Sequence, residues 1–310
     1  MEKQVMIQGE YPIGATITCK EEAGKLPAVV LIAGTGKLDR DGNGLGFHSN
    51  LYKDLAQAFA EVGFAAVRYD KRGTNTTGGS FDKAGLSDFV SDAIAVIQYI
   101  KALPYVDENR LLVCGHSEGA MIATLLSEKE ETAGLILLGG AATSLKDALY
   151  FQNRLIAEDL PGMKGLGGAV MRKSFHLDKQ LATIDDMFEK SKDPAKEKIS
   201  VKGSSMSAKW LREHGAYTSE QYAALLKQYG KPVLAITGKA DFQADYRNLD
   251  ALQGADHIQC LAPEGLTHIL RVSEGESSIV DVRKLYRNLL KKPIDENLLQ
   301  SIRDWLGKEI

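Results

Sequence analysis

Residues 111–119 read L-L-V-C-G-H-S-E-G, and Met121, Ile122, Leu125 and Leu126 follow at helical spacing. A short apolar run, a small-residue turn and a helix in immediate succession make a strand–turn–helix. A polar serine between two glycines in such a turn has two readings. In the first, the turn simply requires small residues. Alternatively, Ser117 is a nucleophile held on a sharp, strained turn above the sheet edge, and Gly115 and Gly119 leave room for the close strand–helix approach. The helix start behind it offers free N–H groups and a positive dipole end to a developing anion. The bare string G-x-S-x-G arises by chance; its position between strand and helix points to catalysis.

Working outward, short apolar runs at Ala28–Ala33, Phe64–Tyr69, Leu111–Cys114, Leu135–Leu138, Val233–Thr237 and Ile258–Leu261 alternate with helix-period segments. Leu51, Leu55, Phe59 and Val62 share one helical face, as do Phe89, Ala93, Ile97 and Ile100. Runs of this length joined by helices describe parallel strands buried on both faces. Gln4–Gln8 and Ala15–Cys19 read as an antiparallel edge hairpin. The rhythm stops between about Thr143 and Gly230, where only helical pattern, charge and glycine remain. The expected architecture is therefore α/β: a mostly parallel central sheet with helices on both faces, a core formed by residues 1–142 and 231–310, and a helical insertion at 143–230. P-G-M-K-G-L-G-G (161–168) suggests a hinge within it. Met163, Met171, Met187 and Met206 supply either an adaptable apolar surface or the insertion's own core. Two amphipathic helices broken near Pro293 close the chain.

The chain has 310 residues, 44% hydrophobic and 25% charged, enough for a sizeable core. Its formal charge of −3 and lack of a basic block argue against nucleic acid. The first ten residues lack the apolar centre of a signal peptide, and no stretch approaches the roughly 18 apolar residues of a membrane span. Cys19, Cys114 and Cys260 are far apart with no C-x-x-C pair, so neither a disulfide framework nor a zinc site is expected, and a cytoplasmic location is.

A serine nucleophile needs a base, itself oriented by a third group. The base must project from the sheet edge where parallel strands end. Of six histidines, His257 enters the last strand at its opposite end, His176 and His214 lie in the insertion, His48 precedes the first crossover helix, and His116 faces elsewhere on the serine's own turn. His268, in L-A-P-E-G-L-T-H, follows a strand by a short loop to the right edge. Asp241, just past the strand V-L-A-I-T and Gly238, is the expected orienting acid; helix capping is its competing role, and Asp245 is the fallback. The order Ser117, Asp241, His268 is the one that accompanies this kind of serine turn. Oxyanion donors are expected at the backbone N–H of Glu118 and, in A-G-T-G (33–36), of Thr35. The Glu118 side chain is expected to point outward, tolerated by the helix dipole.

A-G-T-G-K-L-D-R-D-G-N-G (33–44), R-Y-D-K-R-G-T (68–74), G-H-S-E-G and G-L-T-H resemble the α/β-hydrolase superfamily. Within it they are similar to bacterial serine esterases related to monoglyceride lipases and serine aminopeptidases. The similarity covers nearly the whole chain outside the insertion. It implies an α/β-hydrolase fold, a helical cap inserted after the sixth main-sheet strand and matching 143–230, and a Ser–Asp–His triad at the positions above. Many relatives open the oxyanion loop with His-Gly, where this chain has Ala33-Gly34.

Other motifs are set aside. D-R-D-G-N-G (39–44) matches the first half of a calcium loop, but Asn50 stands where a bidentate glutamate is needed, and a hydrogen-bonded turn is preferred. G-T-G-K (34–37) fails as a phosphate loop because Leu31 and Leu38 occupy its other required positions. Asp70, beside Arg72 and Gly73, reads as a structural turn with an ion pair. The expectation is a serine hydrolase, free of metal and cofactor, acting on small-molecule carboxylic esters of short to medium acyl chain. Aminopeptidase activity, with Glu158, Asp159 or Asp185 binding a free amine, and thioesterase activity are the alternatives. A non-catalytic ligand-binding protein on the same fold is a third.

Overall fold

The computed structural model describes residues 1–201, 203–275 and 278–310. Its centre is an eight-stranded sheet of β1 (Glu2–Gln8), β2 (Pro12–Thr18), β3 (Leu26–Ile32), β4 (Ala65–Tyr69), β5 (Val106–His116), β6 (Gly134–Leu138), β7 (Val233–Ile236) and β8 (Ile258–Leu261). Their spatial order is β1-β2-β4-β3-β5-β6-β7-β8. The first hairpin joins the sheet antiparallel at one edge, and every pairing from β4 to β8 is parallel. The α/β architecture read from the apolar runs is borne out.

Alternation along the strands sorts side chains between two helix layers. Val29 and Leu31 of β3 pack with Leu55 and Phe59 of α1 (Leu51–Glu61) and with Ile302 and Trp305 of α10 (Glu296–Glu309). Ala28, Val30 and Ile32 face the other way, toward Phe89 and Ile97 of α2 (Leu86–Lys101) and Ile122 of α3 (Glu118–Leu126). A strand buried on both faces has no polar side to show, which is why these segments read as unbroken apolar runs.

Between β6 and β7 the chain forms α4 (Leu145–Asp159), α5 (Gly165–Ser174), α6 (Leu177–Ser191), α7 (Ala208–His214) and α8 (Ser219–Tyr229). Ile184, Met187, Phe188, Ile199, Ala208 and Leu211 form a small core of their own there. Two details differ from the expectation of helices alone. Lys198–Val201 and Ser204–Ser207 pair as an antiparallel ribbon; an alternation of four residues is too short to stand out in sequence. Helix α8 buries Tyr222, Ala223 and Leu226 in the main core rather than in the insertion's. The glycine-rich stretch at 161–168 runs into the first turns of α5, opened by Gly165 at φ +79°. Of the four methionines singled out, Met187 fills the insertion core, Met206 packs against it, and Met171 is exposed. The last two helices are α9 (Val282–Leu289) and α10, on either side of Pro293.

Parallel strands deliver their C-terminal ends to one rim. Thr35 follows β3, Ser117 follows β5, Gly139 and Gly140 follow β6, and the loops carrying Asp241 and His268 follow β7 and β8.

Candidate active site

Ser117 stands at φ 57°, ψ −122°, a strained conformation for a residue with a Cβ. Its N–H donates to the Leu138 carbonyl at 2.8 Å, which locks the turn onto β6. A Cβ on Gly115 would lie 2.2 Å from the Gly119 carbonyl oxygen, and one on Gly119 would lie 2.1 Å from that of Ile32. Both obstacles are backbone and cannot yield, so strand and helix approach this closely only with glycine at both positions.

His268 Nδ1 and Asp241 Oδ2 are 2.8 Å apart, both residues buried. The other carboxylate oxygen, Oδ1, accepts from the N–H groups of Gln243 and Ala244 at 2.7 and 3.0 Å. Asp241 thus closes a loop turn with one oxygen and meets the imidazole with the other; the helix-capping role weighed for it falls to Asp245, which caps the 3-10 turn Tyr246–Leu252. Asp245, the fallback, accepts from the backbone and Nε of Arg247 instead. Ser117, His268 and Thr35 line one cavity of about 380 Å³. Among the described residues no hydrogen bond joins Ser117 Oγ to the ring of His268; such contacts commonly tighten only when substrate arrives. The cavity wall is mainly apolar, with Leu38, Tyr52, Met121, Leu149, Trp210 and Ile269, and carries Gln152 and Gln243 as polar points.

His116 links two parts of this site. Its Nε2 lies 2.8 Å from the His268 carbonyl oxygen and its Nδ1 lies 3.0 Å from Tyr52 Oη. A carbonyl only accepts, so Nε2 carries the proton. Burial first, and then the neighbouring His268, push the His116 pKa down to about 3, so the ring is neutral and Nδ1 accepts from the tyrosine. Tyr52 Oη in turn accepts the Gly34 N–H at 2.7 Å. A hydrogen-bond chain therefore runs from the backbone of His268 to the loop carrying Thr35. In the unfolded chain His116 titrates near 6.5, so it binds a proton there that the folded protein refuses. Stability is full above pH 6.5 and falls with acidification toward pH 3, by about 1.4 kcal/mol per pH unit. Urea unfolding at pH 7 and pH 5 should show His116→Gln losing about 2 kcal/mol less than the parent over that interval. Equal losses would remove His116 as the source.

The Glu118 side chain departs from expectation: it points inward and is 2% exposed. Oε2 accepts from Lys71 Nζ at 2.5 Å, and Oε1 accepts from Trp210 Nε1 at 2.5 Å and His214 Nε2 at 3.0 Å. Burial alone would raise this carboxyl's pKa; the Lys71 ammonium and the donated hydrogen bonds outweigh it and hold the group well below the usual range. Helix α7 covers the spot a surface residue would have occupied. Asp70 is structural, as expected, but its partner is Arg40 Nη2 at 2.6 Å; Arg72 forks instead onto Asp92 at 3.0 and 2.7 Å. In the 39–44 segment, Asp39 Oδ1 accepts from the N–H groups of Asp41 and Asn43, a hydrogen-bonded turn.

Gly139 and Gly140 escaped the sequence reading. A Cβ on Gly139, which sits at φ +62°, would be 3.2 Å from both Asp241 Oδ2 and His268 Nδ1. One on Gly140 would be 2.5 Å from the Ser117 carbonyl oxygen. The glycine pair directly after an apolar run was the available signal. Tyr52 carried none; Lys71 lies inside the quoted R-Y-D-K-R-G-T motif, but nothing in that local pattern links its ammonium to Gly34 or Glu118.

The sequence pattern of the family described as serine aminopeptidase, S33, matches residues 42–259. Esterase EstD of Thermotoga maritima is 25% identical over 99% of this chain and 68% of its own length. Est1E from Butyrivibrio proteoclasticus, solved with ferulic acid bound, superposes with a TM-score of 0.58 at 18% identity, covering 93% of this chain and 98% of its own. The Pyrococcus furiosus esterase Pf2001 gives 0.57 at 12% identity over 100% and 93% of the two chains. Likeness at such low identity speaks for the fold.

Proposed function

The chain belongs to the serine aminopeptidase S33 family of α/β hydrolases, and from that premise we propose that it is a serine hydrolase cleaving carboxylic esters of short to medium acyl chain. Ser117 Oγ attacks the acyl carbonyl while His268 takes its proton, and Asp241 holds the imidazole with Nδ1 protonated. The N–H groups of Thr35 and Glu118 receive the oxyanion. His268 then returns the proton to the leaving alcohol, and a water activated by the same ring hydrolyses the acyl-enzyme. The segment from residue 143 to the loop before α8 acts as a cap, contributing Leu149, Gln152 and Trp210 to the cavity wall. A volume near the lower end of ligand pockets, roughly 300–1,000 Å³, suits a modest acyl group.

The observation that favours esters over amino-terminal peptides is the fate of the carboxylates. Among the described residues lining the cavity, Glu118 is the one carboxylate, and Lys71, Trp210 and His214 occupy both its oxygens. Asp185 is engaged by Lys146 and Tyr150, Asp159 accepts from Ser278 and the Ile279 N–H, and Glu158 lines a separate cavity. Within this cavity, among the described residues, a free substrate ammonium would find no uncommitted anion. No helix among the described residues is long and apolar enough to cross a membrane; unpaired cysteines at 19, 114 and 260 support placing the protein in the cytoplasm.

The test is a panel of p-nitrophenyl esters from two to twelve carbons, amino-acyl p-nitroanilides and acyl-coenzyme A thioesters. Simple esters should exceed amino-acyl anilides in kcat/KM by at least about 100-fold, since a buried unpaired ammonium costs several kcal/mol. Faster turnover of the anilides, or of the thioesters, would reassign the substrate.

A further inference from the structure

Gly34 is gripped at both of its backbone polar groups: its N–H by Tyr52 and its carbonyl oxygen by Lys71 Nζ, at 2.7 Å each. Lys71 is 3% exposed, and its ammonium lies 4.7 Å from the centroid of the Phe89 ring. Taking an ammonium out of water costs several kcal/mol, which a lone carbonyl does not offset. Glu118 Oε2 provides the balancing charge.

The Gly34 carbonyl and the Thr35 N–H belong to one planar trans peptide, in which the two groups point in opposite directions. A cation fixed on the oxygen therefore fixes the direction of the N–H. It also polarises the amide, making that N–H a stronger donor, and low-dielectric surroundings enlarge the effect. The geometry points to Lys71 as a positioning residue for the oxyanion hole: anchored by Glu118, it aims and polarises the Thr35 N–H. This rests on the reading of Thr35 and Glu118 as the two oxyanion donors. Glu118 then serves both of them, one through its own N–H and the other through its side chain and Lys71. Trp210 and His214 of α7 complete the shell around the carboxylate, so seating α7 on the turn after β5 sets the same network.

The test compares Lys71→Met with the double variant Lys71→Met/Glu118→Gln. The single variant strands a buried carboxylate and can fail to fold; the double variant removes both charges together, which buried pairs often tolerate. Rates are measured on a simple ester per active site, counted by phosphonate titration run to completion. A trifluoromethyl ketone, whose hemiketal oxygen occupies the oxyanion position, reports on the hole directly.

Removing an oxyanion donor outright costs about 10²–10³ in kcat, and misdirecting one should cost roughly 10–100-fold. The double variant should therefore lose that much kcat per titrated site with KM within about threefold of the parent. Its affinity for the ketone should fall by the same factor as kcat/KM. A purely structural ion pair would instead lower melting temperature and active fraction and leave the rate per site intact. A kcat loss below tenfold, a loss confined to KM, or unchanged ketone affinity overturns the proposal. Failure of the parent reading is distinct: there, the unmutated protein hydrolyses no ester, or Ser117→Ala is as active as the parent.

Discussion

Ser117→Ala is expected to lower kcat on activated esters by about 10⁴- to 10⁶-fold, the scale of losing a nucleophile from a serine–histidine–aspartate site. The fold should survive. The serine N–H, not its side chain, makes the bond to Leu138 that holds the turn, and alanine meets the strained φ of 57° on the same terms as serine. Stability should stay within about 0.5 kcal/mol of the parent. Residual turnover is expected from the oxyanion donors and substrate binding alone. The variant should also take up no phosphonate label. Retention of more than about 1% of kcat, with a normal melting curve, would exclude Ser117 as the attacking group.

Asp241→Asn tests the orientation of the base and makes a sharper demand on geometry. Two backbone N–H groups converge on Oδ1 of Asp241, and an amide can satisfy them only by placing its oxygen there. The amide nitrogen is then forced toward His268 Nδ1, 2.8 Å away in the parent. Nδ1 must accept rather than donate, so the ring proton moves to Nε2 and the imidazole can no longer take a proton from Ser117. A loss of about 10⁴-fold in kcat follows, with both loop hydrogen bonds and the fold retained. A loss smaller than about tenfold would mean that some other group sets the tautomer.

Much of this site can be read along the chain, and the reason is local. Ser117 stands out because strand, turn and helix are contiguous, and His268 and Asp241 because each follows a recognisable strand by a few residues. The Glu118 side chain was misplaced because its surroundings are not its neighbours: Lys71, Trp210 and His214 lie 47, 92 and 96 residues away. At the first turn of α3, exposed and buried positions are decided by whether another helix lies over them. The chain from His268 through His116 and Tyr52 to Gly34 spans separations of 152, 64 and 18 residues, and no spacing rule links them.

The division has a physical basis. Hydrophobic period and chain direction are properties of consecutive residues, so strand and helix identity, the parallel sheet and the rim where its strands end follow from the amino-acid order. Partners of buried polar groups are chosen by whichever donors and acceptors share a low-dielectric space once the core has closed. The inward Glu118, its grip on Lys71, the neutral His116 and the covering of the rim by α7 therefore emerge when distant segments pack together.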